Sequence, residues 1–367
     1  MTARDMIRQR LASQQVAVPR LTTAAEIVSW LGAVQSQDYP SAKWALGVRL
    51  QSATDLGIEE AVDRGLVVRM HLLRPTWHFA ARDDARWMLA LSAPQIRAAM
   101  KSRDRQLGIT DDVARKSNRV IARTLKNEES VPRERLVEAL EAEGMENRDN
   151  RAAHLLMRAE TDGVACCAVS RGGRQEYALF DARIPPQPPL KRDEAMARLA
   201  ERYFCSRWPA TLHDFAWWSG LTFTDAKRAF EAVKSGFGTE TIDSKTYVIA
   251  GPSGSPAPDG SRADLLPAYD EMILSYADRA ALLTRTSWTK MVTTNGIIRP
   301  LILVNGRAIG TWKREADTER VVLTMQPFAK TPVGAGPLIQ KAAERYAAFL
   351  GKAVEVRRET PRPKGKG

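Results

Sequence analysis

The chain has few of the residues that bind metals or form disulfides, and it has no long apolar run. Its 367 residues include three cysteines and four histidines, and their spacing matches neither a zinc site nor a disulfide framework. We therefore expect no metal and no cofactor, with Cys166, Cys167 and Cys205 as buried packing residues. No window approaches the roughly 18 apolar residues of a membrane span, and the charged start resembles no signal peptide. These absences predict a cytoplasmic protein without a membrane partner.

Positive charge, by contrast, is abundant. The sequence has 55 lysines and arginines against 43 aspartates and glutamates, which gives a formal net charge of +12. Such an excess favours a polyanionic partner whose phosphates are contacted by lysine and arginine. Charge alone leaves RNA, DNA and acidic membranes open. The length and the hydrophobic content of 44% predict a globular chain of about two to four domains.

Periodicity along the first 250 residues predicts the same order of elements three times. Each time, helices lead to two short strands. Three helices followed by a two-stranded ribbon form a winged helix, so we expect three tandem winged-helix motifs, at residues 1–110, 111–187 and 188–250. Winged helices commonly bind DNA grooves, although they also serve as protein-interaction modules. With the charge, this order favours double-stranded DNA as the partner, a nucleoid-associated location and no obligate protein partner.

The pattern changes after a stretch rich in proline and glycine at residues 251–258. Short strands are predicted at 292–294, 301–304, 308–312 and 321–324, with Asn305-Gly306 as a type I′ hairpin turn. A helix is predicted at 335–350. We expect a small β-barrel-like domain at 251–356 and a disordered basic tail at 357–367. The predicted fold class is α+β, mainly helical.

Two glutamines stand out in the first motif. Periodicity predicts an amphipathic helix over 23–35 that places Gln35 and Gln37 at its end and is stopped by Pro40. A glutamine amide is not a useful acid or base near neutral pH, but it donates and accepts hydrogen bonds and so can hold a water molecule or a polar ligand edge. That suits a reaction whose leaving group is already activated. Alternatively, Gln35 caps the helix and Gln37 is a solvated loop residue.

Three neighbours are candidates for supporting the two glutamines. Asp38 is the only carboxylate beside them and could act as a base, but Asp-Tyr-Pro favours a simple turn. Tyr39 follows it. Strand alternation predicts that Trp77 faces the core and that His78 faces outward, towards the helix that ends in the glutamines. His78 then either joins the site or bonds a backbone carbonyl.

Several cations are candidate phosphate contacts, although each taken alone could equally be a solvated surface charge. Two flank the predicted wing strands, others follow one helix and its exit, and two lie in the later hairpin. The candidates are Arg69, Arg74, Arg97, Lys101, Arg103, Arg105, Lys313 and Arg314. Trp217 and Trp218 are predicted to be core residues of the third motif.

The segments 31–49 and 71–79 resemble the winged-helix family of bacterial DNA glycosylases that unhook interstrand crosslinks, and 265–271 and 304–313 support the resemblance. In that family Gln-x-Gln marks the azinomycin-resistance branch and Gln-x-Asp a broader-acting one. Gln35-Ser36-Gln37 matches the first. The resemblance implies that Gln35 and Gln37 are the catalytic pair. It further implies three winged helices and a β-barrel in a C shape around duplex DNA, with an N7-alkylated purine as substrate.

The chemistry of such a lesion agrees with a site built from amides. Alkylation at N7 makes guanine cationic, so the base leaves as a neutral molecule and needs no general acid. Gln35 could then hold the attacking water near the developing sugar cation, while Gln37 fixes the water or the sugar. We expect a monofunctional glycosylase with an open cleft, since bulky adducts do not enter a deep pocket. The alternative is a non-catalytic tandem winged-helix DNA-binding regulator.

Overall fold

The computed structural model describes residues 1–168, 175–250 and 260–359. Within these ranges the chain is α+β. The helices are α1 (Ala3–Ser13), α2 (Ala24–Leu31), α3 (Tyr39–Gly47), α4 (Asp55–Asp63), α5 (Arg82–Gln106), α6 (Asp111–Leu125), α7 (Arg133–Ala142), α8 (Arg151–Thr161), α9 (Phe180–Arg183), α10 (Arg192–Arg207), α11 (Leu212–Ser219), α12 (Phe223–Glu231), α13 (Glu271–Leu274), α14 (Arg285–Met291) and α15 (Ala335–Leu350). No helix in the described ranges is both long and apolar enough to span a membrane.

The strands are short, and most of them follow pairs of helices. They are β1 (Val34–Gln35), β2 (Val67–His71), β3 (Trp77–Ala81), β4 (Val131–Pro132), β5 (Ala165–Cys167), β6 (Glu176–Leu179), β7 (Phe237–Ile242), β8 (Lys245–Ala250), β9 (Ala263–Leu266), β10 (Leu301–Val304), β11 (Arg307–Ala316), β12 (Arg320–Pro327) and β13 (Ala353–Arg358). The predicted glycine turn at 170–174 and the predicted linker at 251–258 lie outside the described residues, as does the tail from 360 onward.

Backbone contacts group the chain into two compact units that are interleaved in sequence. The first unit comprises residues 1–22, 38–56 and those after 251, and the second comprises 23–37 and 57–251. The chain passes from the second unit to the first between Gln37 and Asp38. This division is coarser than the five predicted segments, whose boundaries remain predictions.

The second unit contains a six-stranded sheet in the order β1-β3-β2-β5-β6-β4. Pairing of β2 with β5, at Arg69 and Cys167, joins the first two predicted ribbons into this one sheet. The third ribbon, β7 with β8, stands as a separate two-stranded sheet. The predicted order of helices and then strands is found in all three segments. Their identification as winged helices remains a prediction.

The first unit contains a five-stranded sheet in the order β13-β12-β11-β10-β9, with β12 and β13 parallel. In the described residues this sheet is open, with β9 and β13 at its edges, so the predicted barrel-like domain does not close into a barrel there. Residues 292–294 form only a single bridge to Ile298 instead of a closing strand. The prediction also missed β13, which takes Arg357 and Arg358 out of the tail that we expected to be disordered.

Two local predictions for this unit are confirmed, the hairpin turn at Asn305-Gly306 and the helix α15. Asn305 and Gly306 both have positive φ, at 52° and 76°, and they join β10 to β11 as a type I′ turn requires. Helix α15 was predicted within its observed bounds. Its Tyr346 and Phe349 pack against Trp44, with ring centroids 4.9 and 5.1 Å apart.

The cysteine prediction was correct for two of three residues. Cys166 and Cys167 are buried on β5, and Cys205 is half-buried. Burial raises the pKa of the Cys167 thiol to about 12 because a thiolate is poorly solvated in the interior. These thiols are therefore packing groups rather than nucleophiles at neutral pH.

Candidate active site

The two glutamines do not end a helix. Helix α2 ends at Leu31, and Gly32, with φ of 75°, turns the chain away from the helical path. Val34 and Gln35 then form β1, in which Gln35 pairs with His78 of β3. The predicted helix over 23–35 is therefore too long by four residues. The alternative interpretation, in which Gln35 caps the helix, is also wrong. Gly32 ends α2 three residues before Gln35.

Pro40 begins a helix instead of stopping one. It lies in the first turn of α3, where a missing backbone N–H removes no helical hydrogen bond and the fixed φ of proline suits the helix. Asp38 is the N-cap of this helix, since its Oδ1 accepts a hydrogen bond from the Ser41 backbone N–H at 2.8 Å. We predicted that Asp38 forms part of a simple turn. In the structure it caps the N-terminus of α3.

The backbone of the glutamine motif is held by the neighbouring strand. Besides the pairing of Gln35 with His78, the Ser36 backbone N–H donates to the Trp77 carbonyl at 2.7 Å. Gln35 is only 7% exposed, whereas Gln37 follows in a bend and is exposed. The Gln37 Oε1 lies 3.5 Å from the Trp77 backbone N–H, a long contact. One amide is therefore fixed in a strand and the other is presented to solvent.

Arg69 lies behind this motif. Its Nε and Nη2 donate to the Ser36 carbonyl at 3.0 and 2.8 Å, and Nη2 also approaches the Gln37 carbonyl at 3.4 Å. The guanidinium stacks on the Trp77 indole, 3.6 Å from the ring centroid, and the residue is only 9% exposed. Our expectation of a phosphate contact here needs correcting, because the strand points this guanidinium at backbone carbonyls instead of at solvent.

Trp77 is itself held from a second side. The ring of His71 meets the Trp77 indole edge-on, with centroids 5.3 Å apart. Both the His71 Nδ1 and its backbone N–H lie within hydrogen-bond distance of the Glu160 Oε2, at 2.8 and 2.9 Å. Glu160 is fully buried. The segment 71–79 thus supports the glutamine motif through Trp77, and the sequence carried no signal for Glu160, which lies 89 positions along the chain from His71.

A second arginine holds the chain just before the motif. Arg207 is fully buried, and its Nη1 and Nη2 donate to the carbonyls of Leu31 and Ala33 at 2.6 and 3.2 Å. Its guanidinium stacks on Trp218 at 4.2 Å. These carbonyls follow the end of α2, where helical partners are missing. Trp218 is buried as predicted, but Trp217 is 49% exposed.

The predicted orientations of Trp77 and His78 are reversed. His78 is fully buried, with its Nδ1 2.9 Å from the Thr76 carbonyl, while Trp77 is half-buried. Simple alternation fails because residues on both faces of β3 are buried, His78 and Ala80 as well as Phe79 and Ala81. Of the two interpretations of His78, the bond to a backbone carbonyl is the one observed. A supporting role for His78 in the reaction remains a prediction.

Tyr39 lies in the first unit, beside Lys43. The Lys43 ammonium lies 5.4 Å from the Tyr39 ring centroid. Lys43 is buried and forms an ion pair with Asp55 at 2.7 Å. A supporting role for Tyr39 remains a prediction.

The remaining cation candidates differ in whether their side chains already bond other groups of the protein. Arg97 pairs with Asp162 at 2.7 Å, Arg103 donates to the Asp149 carbonyl at 3.1 Å, and Arg314 donates to the Tyr346 hydroxyl at 2.6 Å. Arg74 is half-buried, whereas Lys101 and Lys313 are exposed. Arg105 is exposed as well. Lys101, Arg105 and Lys313 are therefore better placed to meet phosphates than the arginines that bond other groups of the protein.

A model of the DNA glycosylase AlkZ-like family matches residues 28–349. Among solved structures, the Streptomyces sahachiroi DNA glycosylase AlkZ superposes with a TM-score of 0.81 at 20% identity, covering 98% of this chain and 100% of that chain. At this identity the superposition establishes the shared fold. No curated protein sequence matches the chain. Because the family match spans most of its length, the chain belongs to the AlkZ-like family of DNA glycosylases.

Proposed function

We propose that this glycosylase hydrolyses the N-glycosidic bond of N7-alkylguanine in double-stranded DNA and leaves an abasic site. One observation carries the proposal: a buried glutamine, Gln35, and an exposed one, Gln37, extend from the same held stretch of backbone, and the neighbouring carboxylate of Asp38 is engaged as a helix cap. The two amides supply acceptors and donors, but an amide cannot protonate a leaving base. Such a site therefore suits a base that is already cationic.

Departure of the base follows from the charge of the lesion. A guanine alkylated at N7 carries a positive charge, and cleavage of its bond to C1′ returns that electron pair to the ring and releases a neutral base. The sugar meanwhile develops oxocarbenium character. The enzyme must then position a water molecule and stabilise positive charge on the sugar, instead of supplying an acid.

We assign the two amides complementary parts in that task. The Gln35 side-chain oxygen accepts a hydrogen bond from the attacking water and lies near the developing cation, while the exposed Gln37 fixes the water or the sugar from the other side. A neutral amide stabilises a cation less than a carboxylate does, but it does not repel the adjacent phosphates. Gln35 carries the larger share because its backbone is held by β3.

The placement of the lysine nearest to the motif in sequence favours a monofunctional enzyme. Strand cleavage by a bifunctional glycosylase requires an amine nucleophile that forms a Schiff base. The nearest lysine in sequence, Lys43, is buried in its ion pair with Asp55 and is unsuited to that role. We therefore propose that water is the nucleophile and that the abasic strand stays intact.

The substrates in this proposal extend to bulky adducts and interstrand crosslinks. Such lesions do not rotate into a snug pocket, so a glycosylase that accepts them needs an open approach to its catalytic residues. Gln37, exposed in a bend at the end of the motif, is consistent with such an approach. The width of the cleft remains a prediction.

The test is an excision assay on duplexes that carry one N7-methylguanine, one bulky N7 adduct or one N7–N7 crosslink, with an unmodified duplex as control. We expect an abasic product from the modified duplexes, revealed as a strand break only after alkaline treatment. Absence of that product from every lesion with the wild-type protein would contradict the proposal. A footprint at a defined sequence, indifferent to alkylation, would instead favour a regulator.

A further inference from the structure

The geometry points to Arg69 as a positioning residue for the reaction: its guanidinium fixes the Ser36–Gln37 backbone and thereby aims both amides. This inference rests on the proposed roles of Gln35 and Gln37. Arg69 touches no reacting atom in this account. It acts through the Ser36 carbonyl, through the more distant Gln37 carbonyl, and through Trp77, on which it stacks.

Each of the two peptide groups that flank Ser36 is held by a different partner. The N–H between Gln35 and Ser36 donates to the Trp77 carbonyl at 2.7 Å. The carbonyl between Ser36 and Gln37 accepts from both Nε and Nη2 of Arg69, at 3.0 and 2.8 Å. Together these contacts set the backbone on both sides of Ser36, and hence the direction in which the chain carries each glutamine side chain.

The guanidinium is in turn held in place by aromatic stacking. It lies 3.6 Å from the centroid of Trp77, well within the distance of a cation–π contact. Trp77 is the residue whose carbonyl accepts the Ser36 N–H, so one residue supports both the arginine and the strand. The edge-on ring of His71, tied to Glu160, supports the indole from another direction.

This arrangement distinguishes a positioning role from a phosphate contact. Arg69 is 9% exposed, its stacked face is covered by Trp77, and its donor edge faces backbone carbonyls. A lysine at this position would offer one compact ammonium in place of a planar fork. It would keep the charge but lose the paired contact with the Ser36 carbonyl and the approach to the Gln37 carbonyl.

The expected consequence is a loss of rate without a loss of binding. A displacement of catalytic groups by about 1 Å can lower a rate by about 100-fold. We expect Arg69→Lys to lower the single-turnover excision rate by about 10- to 100-fold at saturating enzyme. The dissociation constant for the same duplex should change less than about two-fold, because the guanidinium is not a phosphate contact.

A matched control is available in the same unit. Arg183 is half-buried and also donates to two backbone carbonyls, those of Asp63 and Val62, at 3.0 and 2.5 Å. It has no part in the glutamine motif. Arg183→Lys should therefore leave the excision rate unchanged, even if it destabilises the fold to the same extent as Arg69→Lys.

The experiment measures single-turnover rate, duplex affinity and unfolding for wild type, Arg69→Lys and Arg183→Lys on an N7-methylguanine duplex. Equal loss of rate in both variants, or a wild-type rate in Arg69→Lys, overturns the inference. If Arg69→Lys binds the duplex more weakly but keeps the wild-type rate at saturating enzyme, Arg69 contacts a phosphate, and the inference is also overturned. If Arg69→Lys does not fold, Trp77→Phe replaces it, and a wild-type rate in that variant contradicts the inference.

Amide hydrogen exchange separates this inference from the proposed substrate. We expect faster exchange at the Ser36 N–H in Arg69→Lys than in wild type, with no change in Arg183→Lys. If wild type excises no lesion, the proposed function fails, and the exchange result alone decides whether Arg69 holds the motif. Unchanged exchange at Ser36 would overturn the positioning role in either case.

Discussion

Two polar regions of the second unit are built in opposite ways. The stretch from Leu31 to Gln37 is held by buried arginines that donate to backbone carbonyls, and only its last residue is exposed. The exposed end of α5 instead borders an open cavity of about 490 Å³, lined by Arg97, Lys101, Arg105 and Arg158 among others. The backbone of the first region is held by buried donors, as a catalytic site requires. The second region presents cations near the surface, where we expect DNA phosphates to bind.

The comparison shows why one residue type serves two purposes. Arg69 and Arg207 each stack on a tryptophan and hold backbone groups, at 3.6 and 4.2 Å from the ring centroids. Arg97 and Arg158 share the carboxylate of Asp162 near the surface. A sequence shows all four as positive charges. In the fold, the two buried arginines bond backbone carbonyls, whereas the two nearer the surface pair with a carboxylate.

The largest effect should come from Arg207. Replacing it by methionine leaves the Leu31 and Ala33 carbonyls without their donor, and each unsatisfied buried carbonyl costs about 1–3 kcal/mol. We expect Arg207→Met to lower the free energy of unfolding by about 2–4 kcal/mol in denaturant titrations. Arg97→Met, which removes an ion pair that is only partly buried, should cost less than about 1 kcal/mol. Equal costs would break the distinction between the two regions.

Loss of the exposed glutamine should lower the excision rate, but less than loss of Gln35 does. Gln37→Ala removes one of two groups that hold water or sugar, and we expect a decrease of about 10-fold in single-turnover excision. Gln37→Asp restores an acceptor and adds negative charge beside the sugar cation, so it should recover most of that loss. A rate for Gln37→Asp below that for Gln37→Ala would contradict the assignment of Gln37 to the cation.

The cationic end of α5 should affect affinity alone. In the double variant Lys101→Gln/Arg105→Gln, we expect the slope of log affinity against log salt to fall by about two, since each phosphate contact contributes about 0.9. The excision rate at saturating enzyme should not change. Fluorescence anisotropy over a salt series measures the slope, and a changed rate with an unchanged slope would reverse the roles of the two regions.

The smallest effect is expected at Asp38. Asparagine is about as good an N-cap as aspartate, so Asp38→Asn should preserve α3 and remove only the charge. The excision rate should stay within about two-fold of wild type if the carboxylate is a cap alone. A decrease of about 100-fold would identify Asp38 as the general base and would revise the proposal that amides perform the reaction.

Several elements were predictable because their determinants are local. The type I′ turn at Asn305-Gly306 follows from the positive φ that these residues tolerate, and α15 follows from its periodicity. Gly32 is a local signal for a helix end as well, because glycine tolerates the positive φ found there. It ends α2 before the glutamines. The open sheet of the first unit was not predictable, because closure depends on how distant strand edges pair.

At the candidate site, the sequence identified the residues but not their surroundings. Gln35, Gln37 and the segment 71–79 were found from motifs. The partners of those residues come from positions far along the chain, such as Glu160 for His71 and Arg207 for the carbonyls before the motif. Burial on both faces of β3 likewise depends on elements from other parts of the chain that pack on the sheet, such as α2 and α5, which is why the predicted orientation of His78 is wrong.

The central claim is that Gln35 serves the reaction and not the binding of DNA. It is tested most directly by measuring, for Gln35→Ala and wild type, the single-turnover excision rate and the dissociation constant on one N7-methylguanine duplex. The account predicts a rate at least about 100-fold lower, as for loss of a group that positions the nucleophile, with a dissociation constant within about two-fold of wild type. An unchanged rate, or a rate that recovers fully when the variant is saturated with DNA, would contradict it.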